Sequence, residues 1–439
     1  MIERSLVIHE FEDFVNSAGN HKHFSSTKGF QFAIGLSKHI DVFYLTTGES
    51  VVVDGVNLIS IEDILDEGID SFDLLIITRE HIFPQLFEYL PSALELMQNE
   101  ERKTVILHKG DSFGWIKNKD FRKTYYAANN QQSTVFADIG RLFDVICAQT
   151  ESLAEFSFQY LPEKIHQVVR EKIFISRMGV PEVPPYQGRD KESIDLYSDK
   201  NSFCVDNWTV LKSGSALSPL CFTNIHLSHT SANIDKFNEN KTRLLYMGRM
   251  KTDNGKTIDL MKEIMLELGP EYELHIFPGR YRLPRVPVSV FSPKSPINIQ
   301  LLRDCHFAEC ENVIVHYPFD SLAKDEVLGS MDIGIDFSQA RPLDSISIQG
   351  NAKILEYCYY GLKVVTESNV QNSNLIIESG SGLILDGLPE PAEFAEAIIE
   401  TTNIDVDWKD ISQYTIEQHS WRIIAGELLE HCNKIYMER

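Results

Sequence analysis

Two cationic side chains bracket a glycine turn near the middle of the chain. Leu244-Leu245-Tyr246-Met247-Gly248-Arg249-Met250 is followed by Asn254-Gly255-Lys256-Thr257 and then by a helical pattern. Glycine lets a backbone approach an anion, a helix start offers free N–H groups, and Arg249 and Lys256 can neutralise a diphosphate without a metal. An ordinary strand-to-helix loop with two solvated cations would use the same residues. Further on, Asn351-Ala352-Lys353-Ile354-Leu355-Glu356-Tyr357-Cys358-Tyr359-Tyr360-Gly361 reads as a helix that stops at glycine and turns straight into a strand. Lys353 and Glu356 are three residues apart and share a face, and a carboxylate there can accept two ribose hydroxyls of a nucleotide. The competing assignment is a solvated i,i+3 ion pair contributing about 0.2–0.5 kcal/mol. His108 closes a strand-like run in Leu107-His108-Lys109-Gly110-Asp111. At a strand's carboxyl end it can touch a bound ligand, as can Asp111, or it can be satisfied internally.

Other groupings carry less. Gly255-Lys256-Thr257 has the ending of a phosphate-loop ATPase motif, but that motif needs glycine where this chain has Met250. Cys305, His306, Cys310 and His316 lack the paired Cys-x-x-Cys spacing of a zinc site. Asp405-Val406-Asp407 imitates a metal-binding Asp-x-Asp but lies in a polar segment with no strand to organise it, and reads as a turn. His21-Lys22-His23 reads as a solvated loop. No metal site is expected.

The elements that would position these residues alternate strand and helix, the pattern of a parallel sheet covered by helices. Expected strands in the first 180 residues are Ser5–His9, Val42–Thr46, Leu74–Thr78, Thr104–His108, Val145–Ala148 and Ile173–Ser176. A Pro-rich break follows at Pro181-Glu182-Val183-Pro184-Pro185, then a Ser-, Asn-, Asp- and Lys-rich stretch over 186–240. From Lys241 the alternation resumes with strands Arg243–Met247, Glu273–Phe277, Val313–Tyr317, Asp332–Asp336, Lys363–Thr366 and Gly382–Leu385, and helices over 257–268, 352–360 and 391–401. The tail from Ser412 places Ile423, Ile424, Leu428, Leu429, Cys432 and Ile435 at helical spacing and is expected to dock as a helix. Two doubly wound units in tandem create a cleft between the carboxyl ends of two sheets.

Composition narrows the partners. The 439 residues carry 41 Lys+Arg against 64 Asp+Glu, a net charge of −23, which repels nucleic acid and anionic lipid at long range and leaves at most peripheral membrane association. Apolar runs such as Leu74–Ile77 are far short of the roughly 20 residues that span a bilayer. The start, Met1-Ile2-Glu3-Arg4-Ser5, lacks signal-peptide organisation, so the cytoplasm is the expected compartment. Seven scattered cysteines fit reduced thiols.

In this order the segments LLYMGRM, NGK, MDIGIDF, NAKILEYCYYGLKVV and HSWRIIAGELLEHCNKIY resemble those of retaining GT-B glycosyltransferases of the glycogen-synthase-like and mannosyltransferase-like group, glycosyltransferase family 4-like, and KIFISRMGV is similar to the segment closing their N-terminal domain. The resemblance implies an α/β fold of two doubly wound Rossmann-like domains facing across a cleft. Residues 1–180 would form the acceptor-binding domain, 181–240 a linker or insertion, and 241–417 the donor-binding domain, with a last helix at about 418–439 crossing back. It implies no cofactor, because the nucleotide-diphosphate sugar (a UDP-sugar in many members) is a substrate. The other partner would be a saccharide, lipid-linked or small-molecule acceptor. Arg249 and Lys256 would hold the donor diphosphate and stabilise its departure, Glu356 the ribose, Gly29 the loop nearing the phosphates, and His108 the transferred sugar. Gly248, Ser345, Asn351 and Lys353 complete the implied donor site. The chain departs from the pattern at Ile348, where many members have a second glutamate, and over Arg341–Gly350, which replaces a Gly-rich segment. Sugar contacts there fall to Asp344, Ser345 or Ser347. Lys256 follows Arg249 at a longer gap than is common, which makes Lys251 its rival. A nucleotide-sugar 2-epimerase and a non-catalytic sugar-nucleotide-binding protein are the alternatives within this fold.

Overall fold

The computed structural model describes residues 2–9, 28–78, 86, 88–99, 104–108, 142–158, 163–183, 241–250, 256–281, 307–315, 328–336, 352–368, 372–387 and 389–438. In the first unit these form β1 (Arg4–Ile8), α1 (Lys28–Leu36), β2 (Asp41–Thr46), β3 (Val51–Val53), β4 (Val56–Ser60), α2 (Ile61–Glu67), β5 (Leu74–Ile77), α3 (Pro91–Gln98), β6 (Thr104–His108), β7 (Val145–Ala148), α4 (Glu151–Ser157), α5 (His166–Arg170) and β8 (Ile173–Ile175). The sheet order is β3-β4-β2-β1-β5-β6-β7-β8, parallel except for the β3–β4 pair. The strands are near-continuous apolar runs because both faces are covered. Alternate residues feed two cores: Leu6, Ile8, Leu75 and Ile77 pack on one side, Val7, Val42, Ile76 and Val145 on the other.

The β3–β4 hairpin was not expected from the sequence. Its turn is Asp54-Gly55, both at positive φ (50° and 84°), the conformation that a two-residue hairpin loop needs.

The second unit comprises β9 (Thr242–Met250), α6 (Lys256–Glu267), β10 (Tyr272–Tyr281), β11 (Val313–Val315), β12 (Ile333–Asp336), α7 (Ala352–Tyr359), β13 (Lys363–Glu367), α8 (Asn372–Ser379), β14 (Gly382–Leu385), α9 (Pro391–Thr402), α10 (Trp408–His419) and α11 (Trp421–Met437). Its sheet is wholly parallel among the described residues, in the order β11-β10-β9-β12-β13-β14. Helix α7 ends as its glycine predicts: Gly361 (φ 71°) donates to the Cys358 carbonyl and Leu362 to that of Tyr357, both at 2.9 Å. Asp407 accepts from the Lys409 N–H and caps α10, which agrees with reading Asp405–Asp407 as a turn.

The tail is two helices rather than one. Ser420 is extended (φ −66°, ψ 146°) because the chain there bridges to Val180: the Val180 N–H donates to the His419 carbonyl and the Trp421 N–H to the Val180 carbonyl, both at 2.8 Å. Beyond this bridge α11 returns to the first unit. Trp421, Ile424, Ala425, Leu428, Leu429 and Cys432 pack with Phe30, Phe32, Ala33 and Leu36 of α1 and with the sheet beneath.

Candidate functional site

In an open parallel sheet, ligands bind beyond the carboxyl ends of the strands where the winding reverses. In the second sheet that place lies between β9 and β12, since the chain proceeds from β9 outward to β10 and β11, then returns to β12 on the other side. The two strands pair at Ile333–Leu244 and Gly334–Leu245, while β9 continues alongside β10 to Met250 through a register shift between Pro278 and Arg280. The strands therefore part beyond Leu245. The Met247 N–H, which β12 no longer serves, donates to the Tyr357 hydroxyl at 3.1 Å. Gly334 makes room for that ring: a β-carbon there would fall 2.2 Å from Tyr357 Cδ2.

Asp336 ends β12 on the same edge and is completely buried. Its compensating charge is Lys353 of α7, whose Nζ lies 2.5 Å from Asp336 Oδ1 and 4.5 Å from the centroid of the Tyr246 ring. Burial works to lower the Lys353 pKa, but the Asp336 carboxylate and the Tyr246 hydroxyl more than offset it and hold the ammonium above the ordinary lysine range. Burial likewise raises the Tyr357 hydroxyl well above the usual tyrosine range, so it stays protonated.

Gly248 and Arg249 lie at the carboxyl end of β9, inside the strand rather than in the turn that the sequence suggested, because β10 keeps pairing with them. Lys256 is the first residue of α6. Glu356 is half-buried on α7, one helical turn beyond Lys353. Helix α6 packs on one face of the sheet, with Leu244 and Tyr246, and α7 on the other, with Leu245 and Met247. The side chains of Arg249, Lys256 and His108 lie outside the described residues, as do Asp111, Lys251, Asp344, Ser345, Ser347, Ile348 and Asn351 altogether. His108 closes β6, in register with Cys147.

Gly29 belongs to the first turn of α1, not to a loop. A β-carbon on it would come within 2.2 Å of His9 Nδ1, and that nitrogen is hydrogen-bonded to Thr78 Oγ1. Gly29 is therefore required by the packing of His9, which follows β1 where the first sheet reverses its winding. Sequence reasoning missed Asp336, Tyr357 and His9. An acid ending an otherwise apolar strand was the available signal for Asp336.

Two doubly wound sheets in one chain, with the last helix returning to the first, define the GT-B fold. Solved structures of the same organisation span the whole chain. They include a glycosyltransferase from Rickettsia africae ESF-5 (12% identity, 99% of each chain, TM-score 0.54) and a sucrose-phosphate synthase from Thermosynechococcus elongatus (9%, 100% of each chain, TM-score 0.55). Another is Anabaena HepE in complex with UDP (9% identity, 99% of this chain and 100% of that one, TM-score 0.56). No protein-family model and no curated protein matches the chain. Among the described residues, no helix is long and apolar enough to cross a membrane.

Proposed function

We propose that the protein is a glycosyltransferase that moves a sugar from a nucleotide-diphosphate donor to a saccharide, lipid-linked or small-molecule acceptor, with retention of configuration. The observation that carries this reading is the parting of β9 and β12 at the reversal point of the second sheet, with Gly248 and Arg249 ending one wall and α7 carrying Glu356 along the other. It is supported by the likeness in fold to a protein whose structure holds UDP.

In this reading Arg249 and Lys256 embrace the diphosphate and Glu356 accepts the ribose hydroxyls. The acceptor hydroxyl attacks the anomeric carbon on the face that the diphosphate vacates, and the departing phosphate oxygen takes its proton. Two fixed cations stabilise the charge that grows on the leaving group, so no metal is required of the protein for that step. The donor is a substrate, not a cofactor, and a cytoplasmic setting would give access to it.

A thermal-shift screen of nucleoside diphosphates and their sugars tests the binding step, since a ligand of the native state alone raises the melting temperature. Incubating the selected donor with acceptor pools, and reading the product's anomeric configuration by NMR, tests the transfer. Conversion of the donor to its epimer, or binding with no release of sugar to any acceptor or water, would overturn the proposal.

A further inference from the structure

Glu356 can serve a nucleotide only if α7 is held at a fixed height above the parted strands, and helix α7 carries two polar side chains one helical turn apart that reach those strands. Lys353 runs to Asp336 on β12 and packs over Tyr246 of β9. Tyr357 reaches the Met247 N–H of β9, the residue before Gly248. Glu356 lies in the turn between these two attachments.

The chemistry of the pair explains why it is there. A carboxylate wholly removed from water is costly unless an opposite charge meets it, and Lys353 is only 17% exposed in meeting Asp336. Tyr246 belongs to the core on the far face of the sheet, so the ammonium meets a residue of β9 as well as Asp336 of β12 instead of lying on the helix surface. A buried ion pair of this kind gives little stability over an apolar pair, and fixing one geometry is its best-attested use.

We infer that Asp336 is a positioning residue of the donor site: through Lys353, and together with the Tyr357–Met247 bond, it fixes the height of Glu356 above the parted strands so that the carboxylate meets the ribose hydroxyls. The inference rests on Glu356 being the ribose ligand of the proposed function. It also recasts Lys353, whose ammonium anchors the helix to β12 next to the donor.

The test reads ribose recognition, which a merely structural role would leave alone. The nucleoside diphosphate selected by thermal shift among UDP, ADP and GDP is titrated calorimetrically beside its 2′,3′-dideoxy counterpart. Wild type should prefer the ribose form by roughly tenfold or more, the range of hydrogen bonds to a charged group. Glu356→Gln should lose that preference. Asp336→Asn combined with Lys353→Gln keeps a hydrogen bond while removing both charges, and should lose most of the preference while the affinity for the dideoxy form stays within about twofold. If that variant does not fold, Tyr357→Phe, which removes the second attachment, is read in the same way. Full ribose preference in the pair variant, or in Tyr357→Phe where that is the one read, with loss in Glu356→Gln overturns the positioning role and leaves the donor site standing. Full preference in Glu356→Gln removes the ribose assignment and the inference with it.

Discussion

Gly179 lies against the indole of Trp421, so closely that a β-carbon on the glycine would fall 2.4 Å from Trp421 Cδ2. The contact sits beside the bridge between Val180 and Ser420, where the chain leaves the first unit and later returns to it. Gly35 of α1 meets the backbone of the same tryptophan, its β-carbon position 2.4 Å from the Trp421 carbonyl carbon. Small residues on two sides therefore set where α11 begins.

Gly179→Ala should cost roughly 1–3 kcal/mol in a denaturant melt, the usual penalty for overfilling a packed site. Trp421→Phe, harmful alone, should recover part of that loss in combination, because the two positions share one space. Additive losses would show that the glycine is needed for some other reason.

Arg249→Ala and Glu356→Ala should each weaken nucleoside diphosphate binding and sharply reduce transfer. For Arg249 the loss in kcat should be on the order of a hundredfold to a thousandfold, as for other donors aimed at developing charge. Full activity in both variants would remove the proposed donor site.

Chelators separate the two ways of stabilising a leaving diphosphate. With Arg249 and Lys256 in that role, transfer measured in excess EDTA should match transfer measured with added magnesium. A rate that collapses on chelation and returns with the ion would contradict the role given to the two cations.

His419 is buried at the end of α10, and its pKa is pushed down to about 4, first by burial and then by Arg177, against smaller opposing effects of Glu378 and the Met178 backbone. In the unfolded chain the imidazole titrates near 6.5. The group's contribution to stability is therefore present above that pH and lost as acid is added between it and about 4, because the unfolded chain takes up a proton that the folded one refuses, a loss of up to about 3 kcal/mol. His419→Gln should flatten this part of the stability curve, read as denaturant midpoints between pH 7 and 4.5. A variant curve parallel to wild type would refute the assignment.

The parallel strands were legible because burial on both faces writes them as short apolar runs, and Leu74–Ile77, Val145–Ala148 and Ile333–Asp336 stand where the sequence indicates. The Gly361 stop of α7 was legible for a different reason, since the residue itself sets the backbone. What escaped were features decided by partners distant in sequence. The β9 extension to Met250 depends on β10, and the break at Ser420 depends on Val180. At the site, Lys353 and Glu356 could be picked out as a pair on one helix face. That Lys353 turns toward Asp336, seventeen residues earlier, could not be read from helical spacing. The Asp54-Gly55 hairpin is the exception: its signal was local, and the sequence reading passed over it.

The return of α11 to the first sheet also sets a timetable for synthesis. A ribosome finishes β8 at Ile175 long before it reaches Trp421, and until then Phe30, Phe32 and Leu36 of α1 lack the cover that Trp421, Ile424 and Leu428 of α11 give them. The nascent amino-terminal half must wait, sticky side open, while some two hundred and forty further residues are added. Premature termination anywhere before α11 should therefore yield an aggregating fragment rather than a free-standing folded unit.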